Sequence, residues 1–569
     1  MIGSFLIEEL MSKLKSLVAL MSLASIGAMA SDVITLEDIP KIKSVRDSVI
    51  SPSGDHIAFT RTLPRELYVD NNGGSYSGLF ITDTKGNARP FITGKVNVGA
   101  IEWSADGKFV YFLAKFKDEK FTQLYRIPVD GGERERVLSL KDTSISRYDI
   151  SPDGKQVALL AMPAEDKSDK KLKELGFQAE VYEMDLKNKQ LFITDLTVQH
   201  KAVQLNAVDI AGYVSDMNWA ADNAQLLVKT QPTALIDDSY TKAQWHVMNL
   251  ADQKITMSIA TEGKLGSAEF SYNGKYIAVI GAQDKHDPAT GRLYLADVNS
   301  GEIQDWLPNF AGHVSDIEWS HKSSKLNFIA NVGTESIVAN INPGSNNYKT
   351  QLQTGKIIAS SYKTIGVKGH SAQHPNESFI IRAKKLSKIT DSNPWLNDKR
   401  FAKQESISIK ARDGVEVGGI LVYPLDYKKG QRYPLIMQVH GGPESHEKNG
   451  WITAYSKPGQ MGAARGYAVF YPNYRGSTGK GVEYSKLGQN DYAGAEFDDL
   501  VDMKNYLVET GLVDTKRVGI TGGSYGGYAS AWAATKLTEH FAASVMFVGI
   551  SNQLSKFGTT DISNEMHLV

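Results

Sequence analysis

A serine set among glycines, Gly522-Gly523-Ser524-Tyr525-Gly526-Gly527-Tyr528, is the stretch of this 569-residue sequence best suited to covalent chemistry. A hydroxyl at the apex of a sharp strand-to-helix turn stands free of its own backbone and can attack a carbonyl carbon. The flanks fit such an elbow. Arg517-Val518-Gly519-Ile520 is apolar enough for a buried parallel strand, and residues 529–537 are rich in helix formers. Glycines on both sides of Ser524 permit the strained turn and let strand and helix backbones approach closely. The amide of Tyr525 then falls at a helix N-terminus, where dipole and donor both favour an oxyanion. A second glycine turn, His440-Gly441-Gly442-Pro443, follows the apolar run at 435–439 and can supply another backbone donor. His440 itself precedes the serine in a turn whose task is to present amides, so it is not read as the general base. Arg475 has two readings, a substrate contact or a buried ion pair that holds its loop.

Composition narrows the field. A formal net charge of -1 and a pI near 6.9 give no basic field, which argues against nucleic acid as the main partner. The absence of cysteine excludes a thiol nucleophile, a Cys-ligated zinc site and any disulfide. No cofactor or metal is called for. From Met11 the chain reads Ser12-Lys13-Leu14-Lys15, an apolar run from 17 to 26, then Ala28-Met29-Ala30. A basic start, an apolar stretch too short to span a bilayer and an Ala-x-Ala ending describe a secretory signal peptide over 1–30, with Met11 as the natural start. The mature protein is accordingly expected to be exported, periplasmic or secreted, with no membrane segment.

Behind that leader a unit recurs: an apolar or aromatic residue, Ser, spacers, Asp-Gly or Asn-Gly, often Lys, then an alternating strand. Trp103-Ser104-Ala105-Asp106-Gly107-Lys108 is a clear copy, and others fall at 51, 151, 220, 271 and 320, with a worn seventh expected near 374. Spacings of roughly fifty residues match one four-stranded blade, so seven copies predict an all-β seven-bladed propeller over 31–390. The charged run at 165–174 reads as a solvated insertion. From 391 to 569 the pattern changes to alternating strands and helices, including an amphipathic helix from about 495 to 509. Such alternation around an elbow serine predicts an α/β-hydrolase domain.

With His440-Gly441-Gly442-Pro443, Asn473-Tyr474-Arg475-Gly476-Ser477-Thr478-Gly479 and the Ser524 elbow in this order behind a propeller, the chain resembles the prolyl oligopeptidase family of serine peptidases. Its acylaminoacyl-peptidase-like and dipeptidyl-peptidase-like branches are the nearest in look. The resemblance implies Ser524 as nucleophile, an oxyanion hole from the amides of Tyr525 and Gly442, and Tyr525, Ile550 and Phe557 against the substrate. It implies short peptides as the substrates, with the propeller restricting access. The family's acid and histidine follow the serine by well over a hundred residues, whereas 45 residues follow Ser524 here. Asp561 and His567 come too soon after the strand at 544–548 to stand in for them. The expectation is therefore a hydrolase domain incomplete at its C-terminus, lacking the triad Asp and His and nearly inactive. A non-catalytic propeller-mediated binding protein and an esterase on the same scaffold are the rival readings.

Overall fold

The structure, a computed structural model, describes residues 32–198, 201–321 and 324–569. The signal-peptide reading lies outside them. Seven antiparallel sheets follow one another at 45–92, 99–138, 145–195, 213–259, 265–305, 313–353 and 358–388. They are the blades of a propeller, six with four strands and the third with three among the described residues.

The recurring motif is the hairpin between a blade's first and second strands. Ser104 Oγ accepts from the Phe109 amide (2.9 Å) and donates to Asp106 Oδ1 (2.7 Å), which in turn accepts from the Lys108 amide. Gly107, at φ 71, supplies the left-handed residue that such a turn requires. Ser151 with Asp153 and Ser271 with Asn273 repeat the arrangement. The tryptophan of the motif has a different task. Trp103, Trp219 and Trp319 each donate the indole N–H to a first-strand carbonyl of the preceding blade, at Val49, Asp149 and Glu269. One residue type thus fills the core between blades and fixes their spacing.

The seventh blade corrects the expected copy near 374. His374–Arg382 is its third strand, and the first hairpin turns at Thr364 instead, between Ile358–Lys363 and Gly366–Ser371. There the motif serine is replaced by carboxylates of the sixth blade. Asp316 accepts from the Tyr362 amide and Glu318 from the Thr364 amide. The charged insertion forms a helix, Lys167–Glu174, capped by Asp166 and with no buried residue.

The second body is a six-stranded sheet. Its strands are β1 (Gln404–Lys410), β2 (Glu416–Val422), β3 (Tyr433–Val439), β4 (Ala468–Asn473), β5 (Val513–Gly523) and β6 (Ala543–Phe547), in the order β1-β2-β4-β3-β5-β6. The last four run parallel, the rest antiparallel. Helices α1 (Gly459–Ala464), α2 (Ala495–Glu509) and α3 (Tyr525–Thr535) pack on it, and α4 (Gln553–Thr559) and α5 (Ser563–Leu568) follow β6. Helix α2 buries Phe497, Leu500, Val501, Met503 and Leu507, the face that the sequence marks out. Strand β6 ends the sheet with Val545 63% and Phe547 51% exposed, an apolar edge with one bonded neighbour.

Both chain crossings between the bodies are tied together, since the Asn393 side chain bonds the amide and carbonyl of Lys43. The segment before the first blade packs on the hydrolase side: Ile34 shares a cluster with Leu396 and Met461, and Asp38 pairs with Lys399.

Candidate active site

Strands β3 and β5 are neighbours, so the turns leaving their carboxyl ends meet. Ser524 leaves β5 at φ 57 and ψ -120, a strained conformation for a residue with a side chain, with its amide bonded to Phe547 O. Its side chain is exposed and, among the described residues, its hydroxyl makes no hydrogen bond. The elbow closes because its glycines have no side chains. A Cβ on Gly526 would lie 2.1 Å from Val439 O, and one on Gly522 2.4 Å from the same atom. Replacing Gly526 by alanine is accordingly expected to cost about 3 kcal/mol or more in urea unfolding, at the upper end of overpacking effects, because the obstructing atom is backbone.

Opposite the serine lies the β3 turn. Gly441 is the residue in contact, for a Cβ there would stand 3.1 Å from Ser524 Cβ and 3.6 Å from its Oγ. Gly442 follows at φ 118. Neither its amide nor that of Tyr525, the first residue of α3, donates to another backbone group among the described residues. The Tyr525 ring is buried and its hydroxyl donates to Glu496 Oε1 at 2.8 Å, so what it presents to the site is backbone.

His440 is held away from the serine. It is buried and stacked on Tyr474 at 4.6 Å, with Nδ1 against Gly441 O (2.8 Å) and Nε2 against Ser477 Oγ (2.9 Å). Burial lowers its pKa, which favours the neutral ring. Arg475 is the buried ion pair of its two readings. Its amide, Nε and Nη2 reach Asp499 at 2.7–2.9 Å, and Nη1 and Nη2 reach Asp413 at 2.6 and 3.0 Å. The guanidinium holds the Asp413 carboxyl down at about 2. No part of Arg475 is left for a substrate.

Ile550 packs against the hydrolase core, and Phe557 is half exposed on α4. Asp561 and His567 are exposed, and neither bonds Ser524. Helix α5 instead crosses to the propeller, where Asp237 accepts from the amides of Asn564 and Glu565 (2.9 Å each) and Lys264 pairs with Glu565 at 2.5 Å.

Between the two bodies lies a cavity of about 600 Å³, lined by Gly442, Glu444, Tyr492 and Tyr525 from the hydrolase side and by Lys229, Tyr240, Lys264 and His313 from the propeller. A wider groove of about 1070 Å³ reaches the other side of the elbow, past Gly441, Gly523, Val545 and Phe547. Among the described residues no group of three or more His, Cys, Asp or Glu side chains could hold a metal ion. Glu444 and Glu496 are among the charged residues here that the sequence does not single out. Their signal is proximity alone, Glu444 two places after Gly442 and Glu496 in the first turn of α2.

Comparison with known proteins agrees with this fold. Residues 454–567 match the family model described as the prolyl oligopeptidase family. The chain is 26% identical over 595 aligned positions to dipeptidyl-peptidase 5 of Porphyromonas gingivalis, covering 94% of this chain and 82% of that protein. It is 27% identical to the uncharacterized peptidase YuxL of Bacillus subtilis, covering 93% and 84%. Its fold matches that of uncomplexed Pyrococcus horikoshii acylaminoacyl peptidase with a TM-score of 0.74 at 19% identity, covering 92% and 80%. Propeller and elbow stand on one chain, and its residues 454–567 carry the match to the prolyl oligopeptidase family, which supports a serine peptidase.

Proposed function

We propose that this peptidase hydrolyses short peptides through an acyl-enzyme on Ser524, as an exopeptidase or oligopeptidase. The observation that carries the reading is the exposed, unbonded Ser524 hydroxyl on a strained elbow, facing the Gly441 turn and followed by the free amide of Tyr525. In that reading Oγ adds to the scissile carbonyl, the amides of Gly442 and Tyr525 hold the oxyanion, and the amine leaves with a proton. Water then releases the acyl group. The peptide names of the relatives, dipeptidyl-peptidase among them, favour an amino-terminal cut. Enclosure between propeller and hydrolase favours small or unfolded substrates.

Turnover by the 569-residue chain is proposed to be low. Among the described residues no imidazole hydrogen-bonds Ser524, and without a general base only the weak catalysis of an oxyanion hole remains. The check is release of nitroaniline from dipeptide p-nitroanilides by this chain and by Ser524→Ala. A rate several orders of magnitude below that of ordinary serine peptidases is expected, with little further loss in Ser524→Ala, because the residual catalysis of an oxyanion hole does not use the hydroxyl. A rate in the ordinary range that vanishes in the variant would show that Ser524 has a working base and would refute the low turnover.

Export is part of the proposal, resting on the leader-like residues 11–30. Amino-terminal sequencing of the protein recovered from cells is expected to begin at or near Ser31, and an intact start in the cell interior would refute it.

A further inference from the structure

The cavity beside the elbow carries charges, and most are already taken. Lys264 is bound by Glu565 and by Pro288 O (2.6 Å), and Lys229 by the carbonyls of Leu265 (2.7 Å) and Gly266 (3.2 Å). Glu496 Oε1 accepts from Tyr525 and from the Ala493 amide, and its Oε2, buried without a partner among the described residues, lies off the cavity lining. Glu444 differs. Its carboxylate has no hydrogen bond or ion pair with another residue among the described residues, its own amide alone acting on it, and it lines the cavity wall. Lys264 and Lys556 act on it at longer range, and burial, joined by the Glu565 charge, outweighs them and raises its pKa. A carboxylate held in such a place with no partner from another residue is one that a cation can complete.

Its position sets what that cation would be. Glu444 lies in the same turn as Gly442, so close that a Cβ on Gly442 would stand 2.2 Å from the Glu444 amide nitrogen. The carboxylate is therefore about one side-chain length from the amide assigned to the oxyanion. An extended peptide advances about 3.3–3.6 Å per residue, so only one or two residues fit between a carbonyl on Gly442 and a group on Glu444.

We propose that Glu444 binds the protonated α-amine of the substrate whose scissile carbonyl rests on the amides of Gly442 and Tyr525, so that the site measures one or two residues from the amino terminus. This deepens the peptidase reading and rests on it. Glu444 is here a specificity-determining residue, supplied by the hydrolase turn itself, and it takes no part in proton transfer.

Binding tests it without turnover. Affinities of glycyl-phenylalanine amide, its N-acetyl form and acetyl-lysyl-phenylalanine amide are measured by calorimetry, supplemented by ligand-observed NMR, at pH 6.5 and 9 with wild type and Glu444→Gln. The free-amine peptide is expected to bind at least tenfold tighter than either acetylated one at pH 6.5. That preference should fade by pH 9, because an α-amine titrates near 8. In Glu444→Gln, with an unchanged melting temperature, it should vanish. Equal binding of the free and N-acetyl peptides to wild type would overturn the anchor and leave the peptide site standing. Equal binding of the acetyl-lysyl and free-amine peptides would assign Glu444 to basic side chains and overturn the α-amine. Persistence of the preference in Glu444→Gln would place the anchor elsewhere. Binding of none of the three would overturn the anchor and the peptide site together.

Discussion

Replacing Arg475 by methionine is expected to destabilise the hydrolase body by about 3–5 kcal/mol, the largest effect of any single side-chain removal proposed for this protein. The reason is what stays behind. Asp499 sits on α2 with a side chain 0% exposed, and its two oxygens are satisfied by three donors of Arg475. Removing the guanidinium leaves a carboxylate buried with only the backbone N–H of residue 475. Asp413 loses its partner as well, but it is half exposed and loses little. Urea unfolding checks the magnitude. In the double variant Arg475→Met/Asp499→Asn, the neutral amide can still accept from that backbone N–H, so most of the loss should be recovered. A double variant as unstable as Arg475→Met would show that packing, not the stranded charge, causes the effect. The loop that Arg475 anchors also carries Ser477, which holds His440, so the β3 turn should loosen with it.

The second large effect is acid release of the propeller from the hydrolase. The loop 444–451 lies between the bodies: Asn449 donates its amide to Thr334 O (2.9 Å) and Trp451 donates its amide to His370 Nδ1 (2.8 Å), both on the propeller. Burial pushes His370 and His313 down to about 4, and His446, whose Nε2 is buried without a partner, lower still. The charges facing them are cationic. Lys448 stands near all three, with Lys457 and His374 beside His370 and His440 beside His446, while Glu447 is already paired with Lys457. Folded pKa values below the unfolded value of about 6.5 mean that the neutral rings stabilise the closed form above that pH. Stability is lost as pH falls from about 6.5 towards 4, by about 2 kcal/mol per histidine between pH 7.5 and 5 as an upper figure. Protonating His370 also removes the acceptor of the Trp451 amide. X-ray scattering is expected to show a larger radius of gyration at pH 5 than at pH 7.5, with a melting temperature lower by more than 5 °C. His370→Gln, which keeps an acceptor and cannot charge, should reduce both changes. A radius independent of pH would contradict the interface.

Much of this was legible in residue types because the devices are local. Ser-x-Asp-Gly is a complete hydrogen-bonded hairpin within six residues, so its copies could be counted along the chain. The elbow is likewise local: glycines that must lack side chains lie within four residues of Ser524. The seventh blade was misplaced because its hairpin is held by Asp316 and Glu318, more than forty residues upstream, and leaves no mark at Thr364 itself. The partners of Arg475 were hidden for the same reason, lying 24 and 62 residues away. After β6 the chain turns α5 towards Asp237 and Lys264, a contact that depends on where the propeller stands and leaves no mark in the residues of α5.

The measurement that bears most directly on Ser524 is chemical rescue. The groove of about 1070 Å³ beside the elbow has room for a small base, and free imidazole can act there as a proton acceptor. The 569-residue chain and Ser524→Ala would be treated with a fluorophosphonate at increasing imidazole, and the adduct located by mass spectrometry. Slow phosphonylation of Ser524 that rises with imidazole, and none in the variant, is the expected result. An adduct on another residue would contradict the assignment of the nucleophile, and rapid labelling of Ser524 independent of imidazole would show that the chain already carries its own base.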